Sequence, residues 1–352
     1  MSLKLIKLVF KVGGLLAITP AKMGKRGLFF PSKAYALLWI ILLTAAVVVS
    51  AVYKKASYEN LTSVLLTLSV ATDIILFVFN LCTIMTTVTK RHQWIKFIKI
   101  LKTLQSNNNE HLFYLLPFLI TNVIFVINFG YETYLWSQII GAEFYKTYAV
   151  EYFQCYSQFI VYFLVYAFLK LILDNVRNIS RNINRLKMQP NRLNNCALKA
   201  LKTDFLALAE CTDIFSDIFG SLILLLMGFC ILQQLTYLHS LVVKSSRDTI
   251  SILVYKIMFI TWHMVGTFIS FFLCDMIEQG VRHVEMVAHQ IETNRVEEET
   301  EALEMLVDTI KHNFRYFTAA RFFNLNRKTF LGTVNALFTF LIVGIQFENF
   351  KI

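Results

Sequence analysis

The chain has 352 residues, of which 56% are hydrophobic and only 16% charged, with a net charge of +11. A soluble domain is nearer a quarter charged, so this composition excludes an ordinary soluble protein and indicates a membrane protein. The basic residues lie between apolar runs and not on one soluble face, which argues against a nucleic-acid partner.

In chain order, the N-terminal segment sets Lys4, Lys7 and Lys11 among apolar residues and then meets Gly13 and Gly14. Those lysines interrupt any signal-peptide core, so an amphipathic segment beside the membrane is expected. A helix needs about 20 apolar residues to cross the hydrocarbon core. Seven stretches qualify or nearly do: Ala34–Tyr53, Leu61–Thr89, His111–Trp136, Tyr152–Leu169, Ile218–Val243, Ile257–Cys274 and Thr329–Phe347, here S1 to S7. Only Asp73 in S2 and Glu132 in S3 bring acidic charge into a span, and Pro117 is the one proline inside a span. There is no internal repeat and no low-complexity tract.

After S4, Val176, Ile179, Ile183 and Leu186 continue at helical spacing, with Arg177, Arg181 and Arg185 on another face. Gln189-Pro190-Asn191 breaks the pattern, and Leu193, Ala197, Leu201, Phe205 and Leu208 lead into S5. After S6, Glu297, Glu298, Glu299 and Glu301 precede a second stripe of Leu303, Leu306, Val307, Ile310, Phe314 and Phe317. These stretches, about 174–210 and 280–328, read as helical extensions beyond the membrane. They either lie as solvated amphipathic helices or bundle subunits together.

Segments 1–33, 90–110, 170–204 and 279–328 carry the great majority of the 34 lysines and arginines. The positive-inside rule then places them, and the N-terminus, in the cytoplasm and the C-terminus outside. The sequon Asn60-Leu61-Thr62 falls on an outer loop and is a glycosylation candidate; Asn178-Ile179-Ser180 falls inside. This topology opposes the G-protein-coupled class. No Asp-Arg-Tyr follows S3, and no Asn-Pro-x-x-Tyr lies in S7. The fold class expected is therefore all-α: seven transmembrane helices, N-terminus inside, C-terminus outside, with cytoplasmic helical extensions.

Polar residues at bilayer depth should face protein or a water-filled cavity. On the outer halves of the spans these are Asp73, Asn128, Glu132, Gln154, Gln158, Gln233, Gln234, Tyr237, Tyr255 and Trp262. Amides beside aromatic rings can orient and stack a small organic ligand, so these ten are the ligand-binding candidates. The same residues also serve as interhelical hydrogen-bond formers or interface anchors. The acids Asp73 and Glu132 would suit a basic ligand; pairing with a cation such as Lys256, or protonation, accounts for them equally. His239, His263, His283 and His289 stand without a second ligand at metal-binding spacing, so no metal is expected, and no cofactor. The cysteines, Cys82, Cys155, Cys196, Cys211, Cys230 and Cys274, form no CxxC pair and read as packing residues. No Ser, His and acid share a catalytic spacing, so an enzyme is not expected.

The C-terminal region carries the most specific signal. Phe317-Thr318-Ala319-Ala320, Phe322-Phe323-Asn324-Leu325-Asn326, Thr329-Phe330-Leu331-Gly332 and the closing Thr339-Phe340, five apolar or small residues, Gln346-Phe347 follow one another. This run resembles the C-terminal signature of insect gustatory receptors, with Phe340 in place of the usual Tyr. Leu341 stands where the sugar-sensing branch typically has an acid, so a bitter or other non-sugar tastant is expected. The resemblance implies a ligand-gated, non-selective cation channel in the plasma membrane of sensory neurons. It implies four like or unlike gustatory subunits in lipid around a pore lined by the last helix, and a pocket among S2 to S6 open to the outside. The permeants would be monovalent cations, with divalent cations an open alternative. Residues 1–328 would form the ligand-binding bundle and anchor, and 329–352 the pore helix. At about 100° per residue, Thr339, Val343, Gln346 and Phe350 share one face, with Phe347 beside it. By the resemblance, Gln346 and Phe347 form the gate. The related odorant-receptor type, or a seven-helix receptor or transporter without its own pore, are the competing readings.

Overall fold

The computed structural model describes residues 3–24, 27–59, 61–104, 115–141, 143–188, 195–242, 250–293 and 300–349. The described residues are almost wholly helical. A short N-terminal helix, α1 (Leu3–Leu15), is followed by a hairpin of β1 (Lys22–Gly24) and β2 (Gly27–Phe29). Then come α2 (Lys33–Tyr58), α3 (Ser63–Thr89), α4 (Arg91–Leu104), α5 (Leu115–Ile140), α6 (Glu143–Met188), α7 (Asn195–Val242) and α8 (Ile250–Thr293). Helix α9 (Thr300–Asn313), a second hairpin of β3 (Thr318–Ala319) and β4 (Phe323–Asn324), and α10 (Arg327–Asn349) complete the chain.

Among the described residues six helices, α2, α3, α5, α6, α7 and α8, are long and apolar enough to cross a membrane. With α10 they correspond to S1–S7 and form a seven-transmembrane bundle. Helices α2 and α3 start on side-chain caps: Ser32 accepts from the Tyr35 N–H, and Thr62 from the Leu65 N–H. Helices α6, α7 and α8 have 46, 48 and 44 residues. At 1.5 Å per residue each is about twice the thickness of a hydrocarbon core, so each runs on well beyond the bilayer. The C-terminal ends of α2, α5 and α7 and the N-terminal ends of α3, α6 and α8 share one end of the bundle, here the loop end. The helix extensions share the other, the extended end.

An aromatic core holds the extended end together. Phe168 of α6 packs edge-on against Phe97 of α4, with ring centroids 4.9 Å apart, and against Phe219 of α7 and Trp94 of α4. Phe10 of α1 reaches the same group through Trp94 and Phe168. Phe10, Phe97, Phe168, Phe215 and Phe219 are fully buried, each contributing about 1.5–3 kcal/mol. The apolar face of α1 (Ile6, Val9, Phe10) is thus buried inside the protein, while Lys7 and Lys11 stay exposed. Trp94, Phe97, Ile98, Leu101 and Leu104 follow helical spacing and form the buried face of α4, a helix within the basic segment 90–110.

The stretch expected to be helical as far as residue 328 is not. Helix α9 ends at Asn313, and residues 318–324 form the second hairpin. Its turn holds Ala320 and Arg321 at φ 49° and 66°, left-handed values that no α-helix accommodates. This hairpin lies directly on α7. A Cβ on Gly220 would sit 2.9 Å from the Ala320 nitrogen and 3.0 Å from the Thr318 oxygen, so glycine is what lets the two backbones meet. Phe317 closes the contact by packing edge-on against Phe215. Helix α10 then starts on Asn326, whose side chain accepts from the Thr329 N–H at 2.9 Å. Arg327 ties α10 to α8 through Asp275 at 2.7 Å and lies over the Phe272 ring.

Gly220→Val should push the hairpin off α7 and cost about 1–3 kcal/mol. Thermal unfolding of the detergent-solubilised full chain checks this. Gly228→Ala, whose new Cβ would meet only the flexible end of Ile75 at 3.4 Å, should leave the melting temperature nearly unchanged.

Candidate functional site

Three helices, α5, α6 and α8, line a cavity of about 280 Å³. Helix α5 presents Pro117, Thr121, Phe125 and Phe129, four residues apart and therefore on one stripe. Helix α6 contributes Cys155, Gln158, Phe159, Tyr162, Phe163 and Tyr166, and α8 contributes Trp262, His263, Val265, Gly266 and Ile269. The walls are mainly aromatic. Phe125 packs on Phe159 at 5.1 Å, and Trp262 stacks on Phe159 at 6.2 Å.

Two polar side chains in this wall carry atoms that lack partners in the protein. Gln158 is 1% exposed, and neither its amide oxygen nor its nitrogen meets a hydrogen-bonding group. His263 is buried with Nδ1 likewise unpaired. Each such atom costs about 1–3 kcal/mol unless something in the cavity satisfies it. One turn from Gln158 toward the loop end, the Gln154 nitrogen is also without a partner.

Above the cavity, toward the loop end, a polar seam joins α5, α7 and α8. The Tyr255 hydroxyl donates to Glu132 Oε1 at 2.5 Å and lies 3.1 Å from the Tyr237 hydroxyl. Tyr131 reaches the Ser251 carbonyl at 3.5 Å. Just below, Phe129 packs edge-on against Tyr152 of α6. A second polar cluster ties α2, α3 and α6. Lys54 Nζ lies 2.9 Å and 3.0 Å from the two Asp73 oxygens and 2.8 Å from Glu151 Oε2, and the Tyr58 hydroxyl donates to Asp73.

A sequence model described as the 7tm Chemosensory receptor matches residues 3–349. The chain belongs to the 7tm chemosensory receptor family. No curated protein matches the chain. Among solved structures it resembles the insect olfactory receptor OR5 from Machilis hrabei, with a TM-score of 0.68 and 10% identity over 97% of both chains. The same receptor in complex with eugenol matches with a TM-score of 0.63 and 10% identity, over 98% of this chain and 99% of that one. At this identity the likeness concerns the fold. This chemosensory receptor is accordingly a multi-pass membrane protein.

Of the ten ligand-binding candidates, this receptor places Gln158 and Trp262 in the cavity wall. Glu132, Tyr237 and Tyr255 meet in the polar seam instead, and Gln154 sits beside the cavity, one turn along α6. Asp73 is held by Lys54 and Tyr58. Gln234 donates to the Ile260 carbonyl at 3.1 Å and so joins α7 to α8; its neighbour Gln233 is buried. Asn128 folds onto its own helix, donating to the Ile124 carbonyl. His263, Tyr162, Thr121 and Cys155 line the cavity without having been among the ligand-binding candidates. Nothing in their own spacing marks them, because each wall comes from a different helix. The described cysteines are free thiols, and no described group of three His, Cys, Asp or Glu could hold a metal ion.

On α10, Thr339, Val343 and Gln346 lie on an exposed face, while Phe330, Thr333, Val334 and Leu337 turn toward α7 and α8. Phe347 falls in the last turns of α10; Phe350 and Asn60 lie outside the described residues.

Lys54→Met leaves Asp73 and Glu151 facing each other without a cation. It should cost about 3–5 kcal/mol, read as a lower melting temperature of the solubilised receptor. Combining Lys54→Met with Asp73→Asn and Glu151→Gln should restore most of the loss.

Proposed function

We propose that this receptor is a subunit of a ligand-gated, non-selective cation channel that takes a small organic ligand in the α5–α6–α8 cavity. The observation carrying this reading is the pair of unpartnered polar side chains, Gln158 and His263, set in a buried aromatic wall. A ligand with a flat apolar body and one or two hydrogen-bonding groups satisfies both features at once. The similarity to a receptor solved with eugenol supports a ligand of this kind. Loop charge favours the loop end outside and the extended end in the cytoplasm.

In this reading four copies, of this chain alone or with other gustatory subunits, surround a pore lined by the C-terminal segment 329–352, to which α10 contributes, and the extended ends of α6 to α9 anchor the assembly. The exposed face with Thr339, Val343 and Gln346 then meets the pore, with Gln346 and Phe347 at its outer gate. An amide ring coordinates partly hydrated cations, and an apolar ring closes by dewetting. The C-terminal motif favours the gustatory type and a bitter or other non-sugar tastant. The apolar cavity lining supports the odorant type as a second reading.

The test is patch-clamp recording from cells expressing the chain, alone and with partner subunits, against a panel of non-volatile tastants and volatile compounds. Gln158→Leu should raise the half-maximal concentration about fivefold to tenfold, the equivalent of one lost hydrogen bond. Gln346→Ala or Phe347→Ala should alter conductance or leak at unchanged surface expression. Wild-type currents in both pore variants would overturn the gate assignment, and ligand binding without current would favour a receptor lacking its own pore.

A further inference from the structure

We propose that the cavity opens sideways, between α5 and α8, and is filled from the hydrocarbon of the bilayer by ligands that partition into lipid. This rests on the cavity being the ligand site.

Two residues locate the mouth. Val265 and Ile269 line the cavity, yet they are 48% and 37% exposed on the outer surface of α8. A side chain that belongs to both surfaces marks where the cavity breaks through. Across the gap, α5 supplies Thr121, itself only half-buried. Around it, Leu119, Ile120 and Val123 form an outward apolar face suited to acyl chains.

Depth is the second argument. Val265 lies at the centre of the apolar stretch Ile257–Cys274. At 1.5 Å per residue it is about 12 Å from either end of that stretch, so the mouth faces mid-bilayer and not water.

The third argument is that the loop end is tied shut. Glu132–Tyr255–Tyr237 and Tyr131–Ser251 bind α5 to α7 and α8, and Phe129 against Tyr152 roofs the cavity. A ligand from the water on that side would have to part a carboxyl from its phenol in a low-dielectric setting. A ligand already dissolved in lipid passes only Val265, Ile269 and Thr121. The occupant is therefore an apolar aromatic compound with a hydrogen-bonding group for Gln158 or His263, and without permanent charge.

A tethered probe tests the route. The full chain is reconstituted in phosphatidylcholine vesicles containing a phosphatidylcholine with a photoreactive diazirine in the terminal half of one acyl chain. Its headgroup holds it in the bilayer, so it can reach the cavity only from the side. After irradiation, mass spectrometry should find adducts on Phe159, Tyr162 or Trp262 as well as on the lipid-facing Val123. Val265→Trp should cut the cavity adducts at least fivefold and leave those on Val123 unchanged. Thr121→Phe narrows the same gap from the other helix and should do likewise if Val265→Trp fails to fold. Adducts confined to exposed helix faces in the wild type, or cavity adducts indifferent to both variants, would overturn the lateral route. If such a result accompanied ligand-evoked currents sensitive to Gln158→Leu, the ligand site would stand and the route alone would fall. Cavity labelling without any ligand response would overturn the ligand site and leave the opening in place.

Discussion

A polar group at bilayer depth has no water to bond with and must find its partner inside the protein. Much of this structure follows from that constraint. Lys54, Asp73, Glu151 and Tyr58 satisfy one another and thereby fix three helices at the loop end. Glu132 is met by Tyr255, and Tyr255 by Tyr237, which fixes three more. Gln234 meets a backbone carbonyl of α8. Against this pairing, the Gln158 amide and His263 Nδ1 are without partners, and both residues belong to the cavity wall.

The extended end works on the opposite principle. There the cohesion is apolar, centred on Phe168 and the rings of α1, α4 and α7 around it. The hairpin 318–324 links that aromatic cluster to α10. It is pressed against α7 at Gly220, and α10 is fastened to α8 through Arg327 and Asp275. The base of α10 is thus fixed, while the face with Thr339, Val343 and Gln346 is left uncovered.

Much of the architecture was legible in the residues. Apolar runs of spanning length mark S1 to S7, and the stripe Val176, Ile179, Ile183 continues α6 as a helix past the membrane. The chain ends resisted such reading. The apolar face of α1 looks the same whether lipid or protein covers it, and here α4 and α6 do. The stripe ending at Phe317 suggested helix through a region that turns back as a hairpin. Left-handed Ala320 and Arg321 carry no composition signal, and their conformation is fixed by packing on Gly220.

The sequence by itself determined that the chain is a helical membrane protein, since apolar runs long enough to cross about 30 Å of hydrocarbon must satisfy their backbone within helices. It also marked the polar residues that such a setting must account for. Only the tertiary structure decided which of them pair and which are left without a partner. Asp73, Glu132 and Gln158 are all polar residues in apolar runs, and nothing in those runs says which partner each will meet. Their fates diverge because Lys54, Tyr255 and an aromatic cavity are brought to them by helices distant in the chain, and periodicity within one helix carries no information about which neighbour it will meet.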